Sequence, residues 1–212
     1  MDLRDLADAV IAGDAVKAKE LTDAALADGI DPAQIINDAL IAAMGVVGER
    51  FGRGEIYVPE MLYSARAMQT SLAMVEPLLA AGGSVSRGSV VIGTVKGDVH
   101  DIGKNIVIIM LRGAGFTVHD LGVDVTVERF VEAVRELRPD ILGLSALLTT
   151  TMPMMQTVID ALEEAGIRDE VKVLVGGAPV TDDFAQAIGA DGYGRDAGAA
   201  AAQARELLAS AV

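Results

Sequence analysis

A chain of 212 residues, 51% hydrophobic but only 3% aromatic, can form one large or two small domains with cores of Ala, Val, Leu, Ile and Met. Its net charge of −14, from 31 acidic against 17 basic residues, opposes nucleic acid and anionic membranes, which call for a cationic face. Without a cysteine it has no disulfide, no thiolate metal site and no cysteine nucleophile.

The opening stretch "MDLRDLADAVIAGD" has neither the basic nor the apolar region of a signal peptide, and no uncharged apolar run is long enough to span a bilayer. A cytoplasmic protein is expected. The nine methionines read first as gap-fillers in cores, and second as an adaptable apolar surface.

Residues 1–82 read as four helices. Leu3, Leu6, Ala7, Val10 and Ile11 fall at helical spacing, and Gly13 ends the run. Asp14 is placed to cap a second helix that Gly29 terminates, and Asp31-Pro32 supplies an N-cap and a first-turn proline for the third. Ile36, Leu40, Ala43, Val47 and Phe51 form its inward stripe. After "GRGEIYV", Pro59 opens a fourth helix that Pro77 should kink or end. Short connections then predict a helical bundle.

"AAGGSVSRG" (80–88) is a linker by composition, with residues 83–88 as the boundary, and Gly82, Gly83 and Gly88 give it the freedom of a hinge. Beyond it, Val/Ile-rich runs alternate with helical segments. Strands are predicted at 89–95, 116–121, 140–145, 171–176 and about 191–193, and helices at 103–114, 126–137, 152–166, 181–189 and 196–210. Five β-then-α units predict an α/β domain over 89–212: a flavodoxin-like, Rossmann-like five-stranded parallel sheet covered on both faces. Ligands of such sheets bind beyond the carboxyl ends of the strands.

Three stretches lie at such ends. "DVHDIG" (98–103) follows the first strand, "SALLTTT" (145–151) follows the third after 41 intervening residues, and Gly176-Gly177 follows the fourth, with 28 residues between Leu147 and Gly176. A phosphate loop is rejected, because the glycine spacing is one residue too long and Asn105 stands where Ser or Thr should hold magnesium. Zinc is a poor reading, since no second His or Cys is near in sequence. His119, after the second strand's core, reads as a strand-end polar residue. The turn at 97–105 looks built to hold a neutral, oriented imidazole.

Taken together, these stretches match the cobalamin-binding pattern D-x-H-x-x-G, S-x-L, G-G. With "GEIYVPEMLYSARAM" (54–68) before the site and "GADGYGRDA" (189–197) after it, the whole chain resembles a corrinoid protein of methyltransferase systems, and is similar to the cobalamin-binding region of methionine synthase. The resemblance implies cobalamin or a related corrinoid, cycling through methylcobalamin, Co(I) and Co(II) and bound base-off, His-on. His100 would then be the lower axial cobalt ligand. Asp98 would fix its other ring nitrogen, and Thr151, six residues after Ser145, would be the hydroxyl of the relay, less certainly bonded than a serine.

The released nucleotide tail would occupy the crevice. There Ser145 bonds the benzimidazole, Leu147 lines the slot, and Gly103, Gly176 and Gly177 let backbone pass close to the tail. Asp101, Ile102, Thr149 and Tyr193 complete the expected tail and cofactor contacts, Tyr193 reading nearly as well as an ordinary strand-end residue. The helical domain would cover the corrin's upper face through Val58, Met61 and Leu62.

By the same resemblance the protein carries a methyl group on cobalt from a substrate-specific corrinoid methyltransferase to a second methyltransferase, with an acceptor such as tetrahydrofolate or coenzyme M. A reductive activator is the third expected partner. The chain is thus a methyl-carrier component more than a self-sufficient enzyme. The alternative, a cobalamin-dependent sensor or regulatory module, is opposed by the acidic charge and by the absence of tryptophan.

Overall fold

The computed structural model describes residues 2–79 and 86–209. The chain divides into two compact units, Met1–Ser86 with Gly113–Gly115, and Arg87–Arg112 with Phe116–Val212. Residues 83–85 of the expected linker, with hinge positions Gly82 and Gly83, lie outside the described residues.

The first unit is helical. Helix α1 spans Leu3–Ile11 and α2 spans Ala15–Ala27; Asp2 accepts from the Arg4 amide and Asp14 from the Lys17 amide, each satisfying a donor that the helix start leaves orphaned. Asp31 does the same for Ala33 ahead of Pro32. There a continuous helix begins as α3 (Pro32–Gln34), widens into a π-helical stretch (Ile35–Ile41) and returns to α-geometry as α4 (Ala42–Gly52). The wider turn lets Ile35, Ile36, Ala39, Leu40 and Ile41 all be buried, which a regular helical stripe would not allow. Helix α5 spans Val58–Leu79, its start tied by the Tyr57 amide to the Glu60 carboxylate at 3.1 Å. Pro77 stands inside α5 instead of stopping it at once; near a helix end few backbone bonds are left for it to break.

The second unit is a five-stranded parallel sheet, β1 (Ser89–Thr94), β2 (Thr117–Asp120), β3 (Ile141–Ser145), β4 (Lys172–Gly176) and β5 (Gly192–Gly194), in the order β2-β1-β3-β4-β5. Between and after the strands run α6 (Ile102–Gly113), α7 (Val127–Leu137), α8 (Pro153–Glu164), α9 (Asp182–Ala187) and α10 (Ala197–Ala209). A short 3-10 turn at Arg168–Glu170, not foreseen in the sequence, leads into β4.

The central strands are buried along almost their whole length, as expected of strands covered on both faces. Phe130, Leu142, Leu144, Met155, Ile159 and Leu162 are fully or almost fully buried in the core of this unit. Among the described residues no methionine is exposed, so the gap-filling reading of these residues holds. No helix among them is long and apolar enough to cross a membrane.

This strand order reverses direction between β1 and β3, which pair directly, Thr94 opposite Ser145. The two loops that leave those strands therefore emerge side by side at the switch point, where open α/β sheets bind ligands.

Candidate functional site

The loop after β1 turns at Gly97, whose φ of +84 suits glycine, and reaches α6 at Ile102. Asp98 lies in this turn with no exposed surface. Its Oδ1 accepts from the His100 amide at 3.1 Å and faces His100 Nδ1 at 2.7 Å. Its Oδ2 accepts from the amides of Leu147 and Leu148 at 2.8 and 3.2 Å and from the Thr151 hydroxyl at 2.8 Å. Three of these five donors come from the loop after β3.

Burial alone would raise the carboxyl's pKa. The hydrogen bonds from the Leu147 and His100 amides, the His100 ring and the Thr151 hydroxyl outweigh it and hold Asp98 well below the usual carboxylate range. A carboxylate accepts but does not donate, so Nδ1 of His100 carries the hydrogen and Nε2 is left for a ligand. The ring is half exposed.

Thr151, the less certain member of the relay in sequence, makes its bond. Its methyl does not interfere, since the hydroxyl reaches Asp98 Oδ2 at 2.8 Å.

Around His100 the surface is apolar: Val99, Ile102, Leu147 and Leu148 are 69, 78, 43 and 40% exposed. Beside them, a Cβ on Gly103 would meet no protein atom within 4 Å. A single outward imidazole, an apolar surround and an open backbone fit a large flat cofactor whose metal needs one nitrogen from the protein. The exposed side chains of Asp101 and Thr149 lie in the same two loops, and the Asp101 carbonyl accepts the Asn105 amide where α6 begins.

The other glycines are explained by the protein itself. Gly177 has a φ of +133, and a Cβ there would run into the Ala146 carbonyl oxygen; a Cβ on Gly176 would stand 3.0 Å from the Gly194 carbonyl. Close approach of backbone is real at both, but to neighbouring loop and strand. Ser145 and Gly176 are register partners at the ends of β3 and β4. Tyr193 lies one strand further out, opposite Val175, and packs partly buried against the sheet's core. In the helical unit Met61 is fully buried, whereas Leu62 is exposed and Val58 partly so; of the three expected upper-face contacts, only the last two offer surface.

Three supporting groups were not singled out in the sequence. Buried Thr94 donates from Oγ1 to the His100 carbonyl at 2.9 Å. Asp124, in the loop after β2, accepts from the Gly97 amide at 2.8 Å and donates its own amide to the Asp98 carbonyl at 2.9 Å. Lys104, with its side chain 1% exposed, meets Asp120 at 2.6 Å. The one sequence signal for Lys104 is a lone cation within the apolar run that follows "DIG".

Residues 88–202 match the B12 binding domain family, and residues 2–76 match a second family of the same description. Over 208 residues the chain is 46% identical to the dimethylamine corrinoid protein of Methanosarcina barkeri, covering 98% of this chain and 97% of that one. It is 47% identical over 193 residues to the trimethylamine corrinoid protein of the same organism, covering 90% and 89%. Among solved structures it is similar to the methanol:cobalamin methyltransferase complex of M. barkeri, with a TM-score of 0.85 and 36% identity over 98% of this chain and 79% of that one. A cobalamin-binding protein from Desulfitobacterium hafniense gives a TM-score of 0.83 and 35% identity, over 97% and 98%. Both halves of the sequence and relatives matched end to end lead to one conclusion: the chain belongs to the B12-binding corrinoid proteins of methyltransferase systems.

Proposed function

We propose that this protein binds its corrinoid base-off with His100 as the lower axial ligand, and carries methyl groups between a methylamine:corrinoid methyltransferase and a second methyltransferase. The observation that carries the reading is the Asp98 relay, in which one buried carboxylate joins the His100 ring at 2.7 Å to the Thr151 hydroxyl at 2.8 Å.

The bound corrinoid supplies a cobalt that takes up and gives back a methyl group. The chain's own residues prepare its lower face. Asp98, kept ionised by its amide and hydroxyl donors, accepts the Nδ1 hydrogen, selects the tautomer with a free Nε2 and raises that nitrogen's basicity. Thr151 and the Leu147 and Leu148 amides hold Asp98 in place, so the ligand's orientation is set by the packing of β1 against β3. Val99, Ile102, Leu147 and Leu148 exclude water from around the imidazole, and Gly103 leaves room for the nucleotide tail, with Ser145 and Tyr193 as further tail contacts.

Methylamines are favoured as donors by the identity to dimethylamine and trimethylamine corrinoid proteins over nearly the whole chain. The solved methanol:cobalamin methyltransferase complex is the pattern for the first partner. A reductive activator is the third.

The test has two arms. Electron paramagnetic resonance of the Co(II) form should show a single axial nitrogen whose splitting changes with 15N-histidine and is lost in His100→Ala; a splitting that follows label in the benzimidazole overturns the ligand assignment. Methyl uptake should then be fastest with a dimethylamine- or trimethylamine-specific methyltransferase, and a preference for the methanol enzyme overturns the donor class.

A further inference from the structure

Outside the relay, Thr94 also bonds His100 and has no part in the mechanism above. Thr94 ends β1, six residues before His100, and is fully buried. Its backbone is committed to the sheet's extension: its amide donates to the Gly122 carbonyl at 3.0 Å, and its carbonyl accepts from Val125 at 3.0 Å. The hydroxyl alone turns upward, donating to the His100 carbonyl at 2.9 Å.

His100 is therefore held at three points. Asp98 holds two of them, the ring Nδ1 and the backbone amide, through the same oxygen. The third, the carbonyl, belongs to Thr94. Asp98 fixes which way the ring faces and ties the turn sideways to the loop after β3, but it makes no bond to the histidine's carbonyl side. Thr94 supplies that bond directly from the end of β1.

We propose that Thr94 is a positioning residue for the axial ligand: its hydroxyl sets the reach of His100 toward the metal by tying the histidine's carbonyl to the last residue of β1. This rests on the reading of His100 as ligand and goes beyond it. Without the hydroxyl, the carbonyl at the ligand's own residue loses its partner and the turn is free to shift. The distance to the metal then becomes variable, though the Asp98 bonds stay intact.

The full chain is loaded with cobalamin, reduced to Co(II), and its ratio of imidazole-bound to imidazole-free cobalt is read from the 15N-histidine-sensitive splitting across a pH series. Thr94→Val, which keeps the β-branched shape, should lower that ratio about tenfold, the loss expected from one hydrogen bond to a part-buried carbonyl. It should also move the pH at which the ligand detaches upward, while Thr94→Ser restores both. In the apoprotein, 15N spectra of the His100 ring should still report the Nδ1–H tautomer in Thr94→Val, because Asp98 is untouched.

A Thr94→Val protein with lower thermal stability but an unchanged ratio and midpoint overturns the proposal, since a purely structural threonine would behave so. If Thr94→Val does not fold, Thr94→Ala is read by the same criteria. Should the unsubstituted protein show no histidine-sensitive splitting, the ligand assignment itself has failed, which separates that failure from one confined to Thr94.

Discussion

Asp98 is a buried carboxylate with five donors for its two oxygens, and its charge is part of the fold as well as of the site. Asp98→Asn would replace one of the two accepting oxygens by an NH2 that faces donors, and should cost about 2–4 kcal/mol in urea denaturation, the range for an unsatisfied buried polar network. The pH dependence follows from the direction of its shift. A folded-state pKa below the unfolded one means that the stabilisation is full above the unfolded value of about 3.9, and drains away as pH falls below it toward the depressed folded value. Denaturation midpoints from about pH 6 down to about pH 3 should therefore fall more steeply for the unsubstituted protein than for Asp98→Asn. Thr151→Val should cost about 1–2 kcal/mol and weaken the axial nitrogen signal, whereas Thr151→Ser should preserve both.

At this scale Asp98, His100 and Thr151 came forward together through the resemblance of their spaced stretches to the cobalamin-binding pattern, and hydrogen bonds join them. Thr94 acts through a backbone carbonyl, which imposes no residue type on its partner. It left no pattern to read. The pairing of Lys104 with Asp120 was equally invisible, since nothing in the sequence places two residues 16 apart in contact.

Two glycines of the same sequence pattern serve different elements, and substitution should separate them. Gly177→Ala forces a Cβ into the Ala146 carbonyl oxygen at a φ of +133, and should destabilise the apoprotein by about 3 kcal/mol or more in thermal or urea unfolding. Gly103→Ala meets nothing in the protein and adds a better helix former to the first turn of α6, so the apoprotein should be as stable or slightly more so. Corrinoid affinity should nevertheless fall, measured by equilibrium dialysis against cobalamin. The alternation of apolar runs with helical stripes located all five strands within about two residues, because strands buried on both faces leave long Val/Ile-rich runs. The π-helical stretch stayed hidden, since Ile35–Ile41 has the composition of any buried helix and only packing widens its turn.

Across the whole molecule, the change of hydrophobic period near residue 88 marked where helices give way to sheet, and each half matches a B12 binding domain family on its own. The Asp98 relay, the apolar surround and Gly103 all belong to the sheet unit. Residues 84–212 alone should therefore bind cobalamin and give the same histidine-sensitive nitrogen splitting as the full chain; loss of that splitting would mean that the helical half helps to place the ligand. A hinge is not legible from composition. A glycine-rich joint and a plain spacer have the same residues, so the hinge reading depends on mechanics that the sequence does not encode.

Asp98 meets Leu147 and Thr151 across 49 and 53 residues of chain, so the His100 ring has no fixed orientation until β1 and β3 have paired. Pairing at that separation is late in folding, because a long loop must close before any contact rewards it. The corrinoid thus arrives at a finished socket and has little to template on the way. Added cobalamin should leave the refolding rate unchanged and slow unfolding, the signature of a contact absent from the folding transition state. In the cell, a freshly made chain would be loaded after folding, and the cofactor would act as a lock on a protein already in shape.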